Sequence, residues 1–189
     1  MGNPLRQRLT AAKLASASQV IEISEEISSF DSLSEIVEAD LAALDADKIP
    51  SAWRESVVRG ELQFGFAVAA GNVPSMSGQI GVELDAVCQR CLEPFRQRIE
   101  IEPRLLLVKA HETVVEFDDY EVWELDEDTL RPLDIVEELL IMAMPFSAKH
   151  DNMADCKVFS AAIENVTEIR RPFAALGAQM KQVEKDPDV

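Results

Sequence analysis

Cys88 and Cys91 are the residues of this 189-residue chain best suited to do chemistry. Two intervening residues let a tight turn point both sulfur atoms to one side, a spacing that zinc sites and thiol–disulfide sites share. A tetrahedral zinc site needs four nitrogen or sulfur ligands, usually supplied as close pairs. His150 and Cys156 can supply a second pair. The candidate metal ligands are therefore Cys88, Cys91, His150 and Cys156, with zinc in a structural role.

The cysteine pair has two other interpretations. Redox pairs usually sit at a helix N-terminus, where the helix dipole lowers the pKa of the first thiol. The residues flanking Cys88 and Cys91 have the pattern of strands, which disfavours that chemistry. The third interpretation is a pair of reduced thiols, partly buried in a turn, that matter through packing or partner contact.

Alternating apolar and polar residues on both sides of the pair predict strands that hold it. The predicted strands are Val57–Val68, Met76–Cys88, Phe95–Ile101 and Leu105–Lys109, with a shorter one at 20–23 and a turn at Gly71–Pro74. The cysteine pair then lies in the turn that joins two antiparallel strands of one sheet.

Apolar residues at three- and four-residue steps predict two helices, Ser32–Leu44 and Leu130–Met144. Asp31 and Asp134 are the expected caps. Weaker patterns predict a short helix or arm in Asn3–Ala17 and a last helical turn or two from Arg171. The predicted fold class is α+β, an antiparallel β-sheet rolled toward a barrel and packed by two or three helices. We expect one domain over residues 1–182 and a disordered tail at 183–189.

The chain is strongly acidic, with 35 acidic residues against 18 basic ones and a net charge of −17. Phosphate backbones are bound by Lys and Arg, so such a chain is a poor general nucleic-acid binder, whereas its field attracts a basic protein. Surplus acid can equally serve solubility alone. The sequence shows no secretory signal and no apolar run long enough to span a bilayer. With an odd number of cysteines as well, we expect a cytoplasmic protein with reduced thiols.

Acidic residues are concentrated between His111 and Asp128, which hold nine carboxylates and no Lys or Arg. Interspersed apolar residues predict one or two edge strands plus loop, with the acids outward; charge on an edge also discourages aggregation. The candidate partner-binding residues here are Glu116, Asp118, Asp119, Glu121 and Glu124. The cysteine turn adds Arg90, Pro94 and Phe95, of which Phe95 is equally expected in the core.

Three segments in order resemble the bacterial YceD family, named for large ribosomal RNA subunit accumulation. They are Val87–Phe95, Leu133–Pro145 running on to His150, Asp151 and Cys156, and Arg171–Leu176. The resemblance implies a role in ribosome assembly, with no assigned enzyme activity. In some relatives it implies additional cysteines after the helix, where this chain has His150 and Cys156.

The leading hypothesis is a non-enzymatic ribosome biogenesis factor. It would use the acidic residues to hold a basic ribosomal protein or a pre-large-subunit particle, so that contact with ribosomal RNA is indirect. The alternative is a direct RNA-binding module formed by Arg90, Arg96, Arg98 and Arg104. For Arg96, Arg98, Arg104 and the nearby Lys109, cross-strand pairing with Glu83 and Asp85 is the ordinary explanation.

The least favoured hypothesis is an RNA-processing enzyme in which the carboxylates hold Mg²⁺. The sequence has no Gly-rich phosphate loop, Walker motif or Ser-His-Asp signature. We therefore assign no catalytic residues and expect neither a small-molecule substrate nor a membrane partner.

Overall fold

The computed structural model describes residues 3–68, 70–110 and 119–156. The helices are α1 (Ala11–Ser16), α2 (Asp31–Leu41) and α3 (Pro132–Ala143). The strands are β1 (Val20–Glu26), β2 (Val57–Ala67), β3 (Val73–Val87), β4 (Pro94–Ile101), β5 (Arg104–Lys109) and β6 (Glu121–Leu125). Short 3-10 helices lie at Pro4–Arg6, Ile27–Ser29, Trp53–Glu55 and Met153–Asp155.

The chain divides into two compact units, Met1–Asp151 and Asn152–Val189. The first contains the sheet and the three helices of the described residues. In the second, the described residues form the 3-10 helix at Met153–Asp155, which the Asn152 side chain caps by accepting a hydrogen bond from the Ala154 N–H. The predicted helical turn from Arg171 and the predicted tail at 183–189 lie outside the described residues.

The six described strands form one sheet in the order β1-β2-β3-β5-β6, with β4 also paired to β3. The antiparallel pairs are β1–β2, β2–β3, β3–β4 and β3–β5, whereas β5 and β6 run parallel. The α+β class is therefore confirmed, but the sheet is mixed. Among the described strands it is open, so the predicted rolling toward a barrel does not lead to closure.

The 15-residue strand β3 is the centre of the sheet because it pairs with β2 on one side and with β4 and β5 on the other. Its side chains alternate as the sequence predicts: Met76, Ile80 and Leu84 are almost fully buried, while Gln79 and Glu83 are exposed. One face of β3 therefore lies on the main core, and the other lines an open, charged groove.

α2 and α3 cover the core face of the sheet with apolar residues at helical spacing. In α2 the fully buried residues are Leu33, Val37 and Leu41; in α3 they are Val136 and Leu140. This spacing places the apolar stripe of each helix against the sheet and leaves most of the helix carboxylates toward solvent. This packing confirms both predicted helices, with ends shifted by one to three residues.

The predicted helix caps are wrong at both helices. The N-cap of α2 is Phe30, whose side chain accepts no bond, and Asp31 lies inside the first turn. The Oε1 atom of Glu137 in α3 accepts the Leu33 N–H at 3.0 Å instead, so one helix caps the other. The N-cap of α3 is Arg131, and Asp134 forms an ion pair with it. Residues near the start of α2 could not predict this hydrogen-bond acceptor, because Glu137 belongs to another helix.

We expect Gly78→Ala to lower the free energy of unfolding by about 2 kcal/mol or more, because a small-to-large change in a packed interior forces backbone shifts. A Cβ atom at Gly78 would lie 2.1 Å from the backbone oxygen of Glu61 on the neighbouring strand β2. Gly81→Ala, three residues along β3, is the matched control, since its Cβ would meet nothing closer than 3.7 Å. Urea unfolding followed by circular dichroism measures both. Equal stability of the two variants would contradict this close packing of β2 and β3.

Candidate metal centre

The cysteine pair lies in the turn between β3 and β4, as the sequence predicts. The Cys88 N–H donates to the Glu93 carbonyl at 3.0 Å, and the Leu92 N–H donates to the Cys88 carbonyl at 2.8 Å. Leu92 takes a left-handed conformation, with φ of 57°, that closes the turn before Pro94 begins β4. The flanking elements are two strands, so the pair lacks the helix N-terminus that a redox pair normally uses.

A loop after α3 carries His150 to this turn. Pro145 follows the last residues of α3, and the Gln89 N–H donates to the Ala148 carbonyl at 2.8 Å, which fixes the loop beside the turn. The His150 ring lies against Phe95, with ring centroids 4.8 Å apart. The His150 Nδ1 atom is 3.6 Å from the Cys91 Sγ atom.

The four residues that the sequence singled out as metal ligands form one cluster: the ligand atoms of Cys88, Cys91, His150 and Cys156 all lie within 4.8 Å of one another. Cys88 and Cys156 are buried, and Cys91 and His150 are half-buried. All three cysteines are reduced. This Cys₃His set could hold a metal ion.

The distance between Cys91 and His150 fits two ligands of one tetrahedral ion. Bonds of about 2.3 Å to sulfur and about 2.05 Å to nitrogen, at a tetrahedral angle, place a sulfur and a nitrogen ligand about 3.6 Å apart. The observed distance from Cys91 Sγ to His150 Nδ1 is 3.6 Å. Three sulfurs and one imidazole are also a common donor set of structural zinc sites.

Backbone hydrogen bonds prepare Cys88 to act as a ligand. Burial of the Cys88 thiol opposes its ionisation, but backbone N–H groups of His150, Cys91 and Arg90 donate to its sulfur and lower its pKa to about 5. Metal ligation requires the thiolate, and the lowered pKa favours that form of the Cys88 sulfur.

The end of α2 supports the start of the turn. The Asp40 Oδ2 atom accepts the Val87 N–H at 2.8 Å, one residue before Cys88. Lys48, in the segment after α2, pairs with Glu93 at 2.8 Å on the other arm of the turn. No sequence signal pointed to Asp40, because its partner is a backbone group 47 residues away.

The predicted partner-binding residues of the turn lie beside the candidate metal ligands. Arg90 and Pro94 are half-buried, and Pro94 is the first residue of β4. Phe95 is also half-buried, with its ring against His150. The contact of Phe95 with a candidate ligand gives it a packing role within the centre.

The predicted acidic residues of the described chain are all exposed: Asp119, Glu121 and Glu124 point to solvent, as do Asp126, Glu127 and Asp128 that follow. We call these six residues the acidic surface. Ion pairs join Glu127 to Arg8 and Asp128 to Lys109. Glu116 and Asp118 lie outside the described residues.

Two of the four arginines proposed for direct RNA contact, Arg96 and Arg98, form ion pairs with carboxylates on the open face of the sheet. Arg96 forms an ion pair with Asp85, its cross-strand neighbour, at 2.9 Å. This is the cross-strand pairing expected from the sequence. Arg98 lies opposite Glu83 in the β3–β4 register and forms its ion pair with Glu100. Arg104 is exposed at the start of β5.

We expect Asp40→Ala to lower the free energy of unfolding by about 1–2 kcal/mol, since it removes a charged acceptor from a part-buried backbone N–H. Urea unfolding measures the change. Glu35→Ala on the same helix is the control; its side chain is exposed, and a change within about 0.5 kcal/mol is expected. If both variants lose the same stability, Asp40 does not hold the turn.

None of the helices in the described residues is both long and apolar enough to cross a membrane. No solved structure matches the chain. The family model described as "Large ribosomal RNA subunit accumulation protein YceD" matches residues 76–180, a range that contains the cysteine turn, α3 and all four candidate ligands. A protein of that name from Haemophilus influenzae is 30% identical over 139 residues, covering 68% of this chain and 79% of the relative. On both grounds, the chain belongs to the YceD family.

Proposed function

We propose that this protein is a non-enzymatic ribosome biogenesis factor that acts in the cytoplasm and is needed for the accumulation or processing of large-subunit ribosomal RNA. The family name and the name of the Haemophilus influenzae relative both refer to accumulation of that RNA. The protein affects ribosomal RNA indirectly, by binding another protein.

The proposed partner is a basic ribosomal protein, either free or assembled in a pre-large-subunit particle. The observation that carries this proposal is the exposed acidic surface on a chain of net charge −17. Four of its members, Asp119, Glu121, Glu124 and Asp126, form no ion pair with the described residues. Such a surface attracts a cationic polypeptide and repels phosphate.

Direct binding of RNA has weaker support. Arg96 and Arg98 already pair with carboxylates, and phosphate contact would have to break those pairs. Glu83, Glu100 and Glu102 line the same open groove, whose volume is about 800 Å³, together with both arginines. The groove is therefore mixed in charge and lacks the positive potential that RNA requires.

We also propose that the Cys₃His cluster holds a structural zinc ion. When bound, zinc supplies a cross-link between side chains and no reactive position, because four protein ligands complete its coordination. The turn then braces the loop after α3 through Cys88, Cys91 and His150, in addition to the bond from Gln89 to Ala148. A closed site of this kind agrees with a non-enzymatic role.

Metal analysis of protein purified without chelator tests the zinc proposal. We expect about one equivalent of zinc, lost in Cys88→Ser and in His150→Ala, together with a lower melting temperature, because metal binding contributes to folding. His111→Ala is the matched control, since it removes the only other histidine of the chain. A wild-type protein that folds normally and contains no metal would refute the zinc proposal.

Binding to purified large-subunit ribosomal proteins tests the partner. Replacing Asp119 and Asp126 by Asn, and Glu121 and Glu124 by Gln, should weaken binding by about tenfold or more at physiological salt, with a steeper loss at low salt. Biolayer interferometry, with ribosomal proteins and ribosomal RNA as separate analytes, measures this.

The control for that measurement replaces Arg96 and Arg98 by Gln and should leave protein binding unchanged. The opposite pattern, tight binding of RNA that is lost in the arginine variant and retained in the acidic one, would establish the direct RNA-binding alternative in place of the proposed partner.

A further inference from the structure

α3 joins two different surfaces of the Met1–Asp151 unit. Near its first turn lies a groove of about 290 Å³, which we call the acidic groove. Near its last turn lies a groove of about 270 Å³, which we call the apolar groove. The acidic groove reaches Glu138 and the apolar groove begins at Ile141, so their nearest lining residues are about 4.5 Å apart along the helix axis. The far lining residues, Asp134 and Met144, are about 15 Å apart.

The apolar groove has an apolar floor and apolar walls. Leu84 of β3 and Ile99 of β4 form its floor, Ile36 of α2 and Ile141 of α3 stand on either side, and Phe146 forms part of its rim. The side chain of Phe146 is fully exposed, and that of Ile36 is 39% exposed. Aromatic residues at the edge of an apolar depression are typical of protein–protein contact sites.

The candidate metal centre fixes the rim of the apolar groove. Gln89 and Ala148, whose backbones are hydrogen-bonded, both line it. Phe146 therefore stands on the same short loop as His150. With this geometry, a structural metal centre also holds the apolar groove in one shape.

Charges around the apolar groove are negative. Among the described residues, its charged lining residues are Asp40 and Asp85, and Asp85 is paired with Arg96. Within their bounds, α2 and α3 carry seven carboxylates and no Lys or Arg; two of the seven, Glu38 and Asp134, form ion pairs with arginines outside the helices. The carboxylates are Asp31, Glu35, Glu38 and Asp40 in α2, and Asp134, Glu137 and Glu138 in α3.

The acidic groove, near the other end of α3, is also lined by carboxylates. Glu124 and Asp126 of the acidic surface line it with Glu138 of α3, and none of these three forms an ion pair with the described residues. Arg8 and Arg131, which also line it, are paired with Glu127 and Asp134. Carboxylates without an ion pair to the described residues thus extend from the acidic surface to Glu138, in the middle of α3, and the last turn of α3 beside the apolar groove carries no charge.

We propose that one basic segment of the partner lies along α3, with cationic side chains at the acidic groove and an apolar side chain seated in the apolar groove against Phe146. This inference rests on the proposed function, since it assigns the anchoring contact of that same basic partner. To reach from Asp134 to Met144 the segment must span about 15 Å, which is about 10 residues of helix or about four to five residues of extended chain.

The test uses the full chain and purified large-subunit ribosomal proteins as the probe. The double variant Ile36→Ser, Phe146→Ser should bind them at least about tenfold more weakly than the wild type, because it removes the apolar anchor. Val68→Ser is the matched control, since Val68 is 78% exposed and lies on β2's side of the sheet, away from both grooves. Its binding should match the wild type.

Two results would separate this inference from the proposed function. If the double variant binds like the wild type while the acidic-surface variant loses binding, the groove is not the anchor and the proposed function stands. If the wild type binds none of these proteins, the proposed function falls and the inference falls with it.

A photo-crosslinking phenylalanine analogue in place of Phe146 identifies the occupant. Cross-links to a basic ribosomal protein support the inference. Cross-links within the same chain, or to a second copy of it, overturn the inference, because they show that the groove is already filled.

Discussion

The antiparallel pairing of β3 with β4 is the interaction on which the rest of the structure depends. It places Cys88 and Cys91 at the two ends of one tight turn, and the same two strands supply the floor of the apolar groove. Backbone bonds within the turn and from the turn to Ala148 then set the position of His150 and Phe146. A shift of one residue in this register would turn the core side chains of β4 to solvent and move the cysteine pair.

Charge and apolar surface have separate roles in the proposed account. The negative field is long-ranged and favours encounter with a cationic polypeptide, but it is screened by salt and gives little specificity by itself. An apolar seat adds a short-range contact that depends on shape. Because α3 connects the two, a single segment of a partner can use both.

The local patterns of the sequence predicted most of the elements. Period-two alternation located β2, β3, β4 and β5, and helical spacing located α2 and α3, because burial on one face leaves a direct signal. Cysteine spacing, with His150 and Cys156, identified the candidate metal cluster. These features depend on residues close in sequence or on residue types with few other uses.

Features made by distant parts of the chain could not be predicted. The cap that Glu137 provides to α2 and the Asp40 bond to Val87 join residues 104 and 47 positions apart. The predicted sheet was antiparallel, but β6 pairs with β5 in parallel. The sequence could not show this, because alternating apolar and polar residues read the same in either strand direction. The apolar groove arises only when two helices and two strands meet around Phe146.

Hydrogen–deuterium exchange of the full chain, with and without purified large-subunit ribosomal proteins and then ribosomal RNA, tests the central claim most directly. The account predicts that the proteins slow exchange in β6, in α3 and in the loop that carries Phe146, while the RNA changes little. Slowed exchange in β4 on addition of RNA, with α3 and β6 unaffected by the proteins, would contradict it.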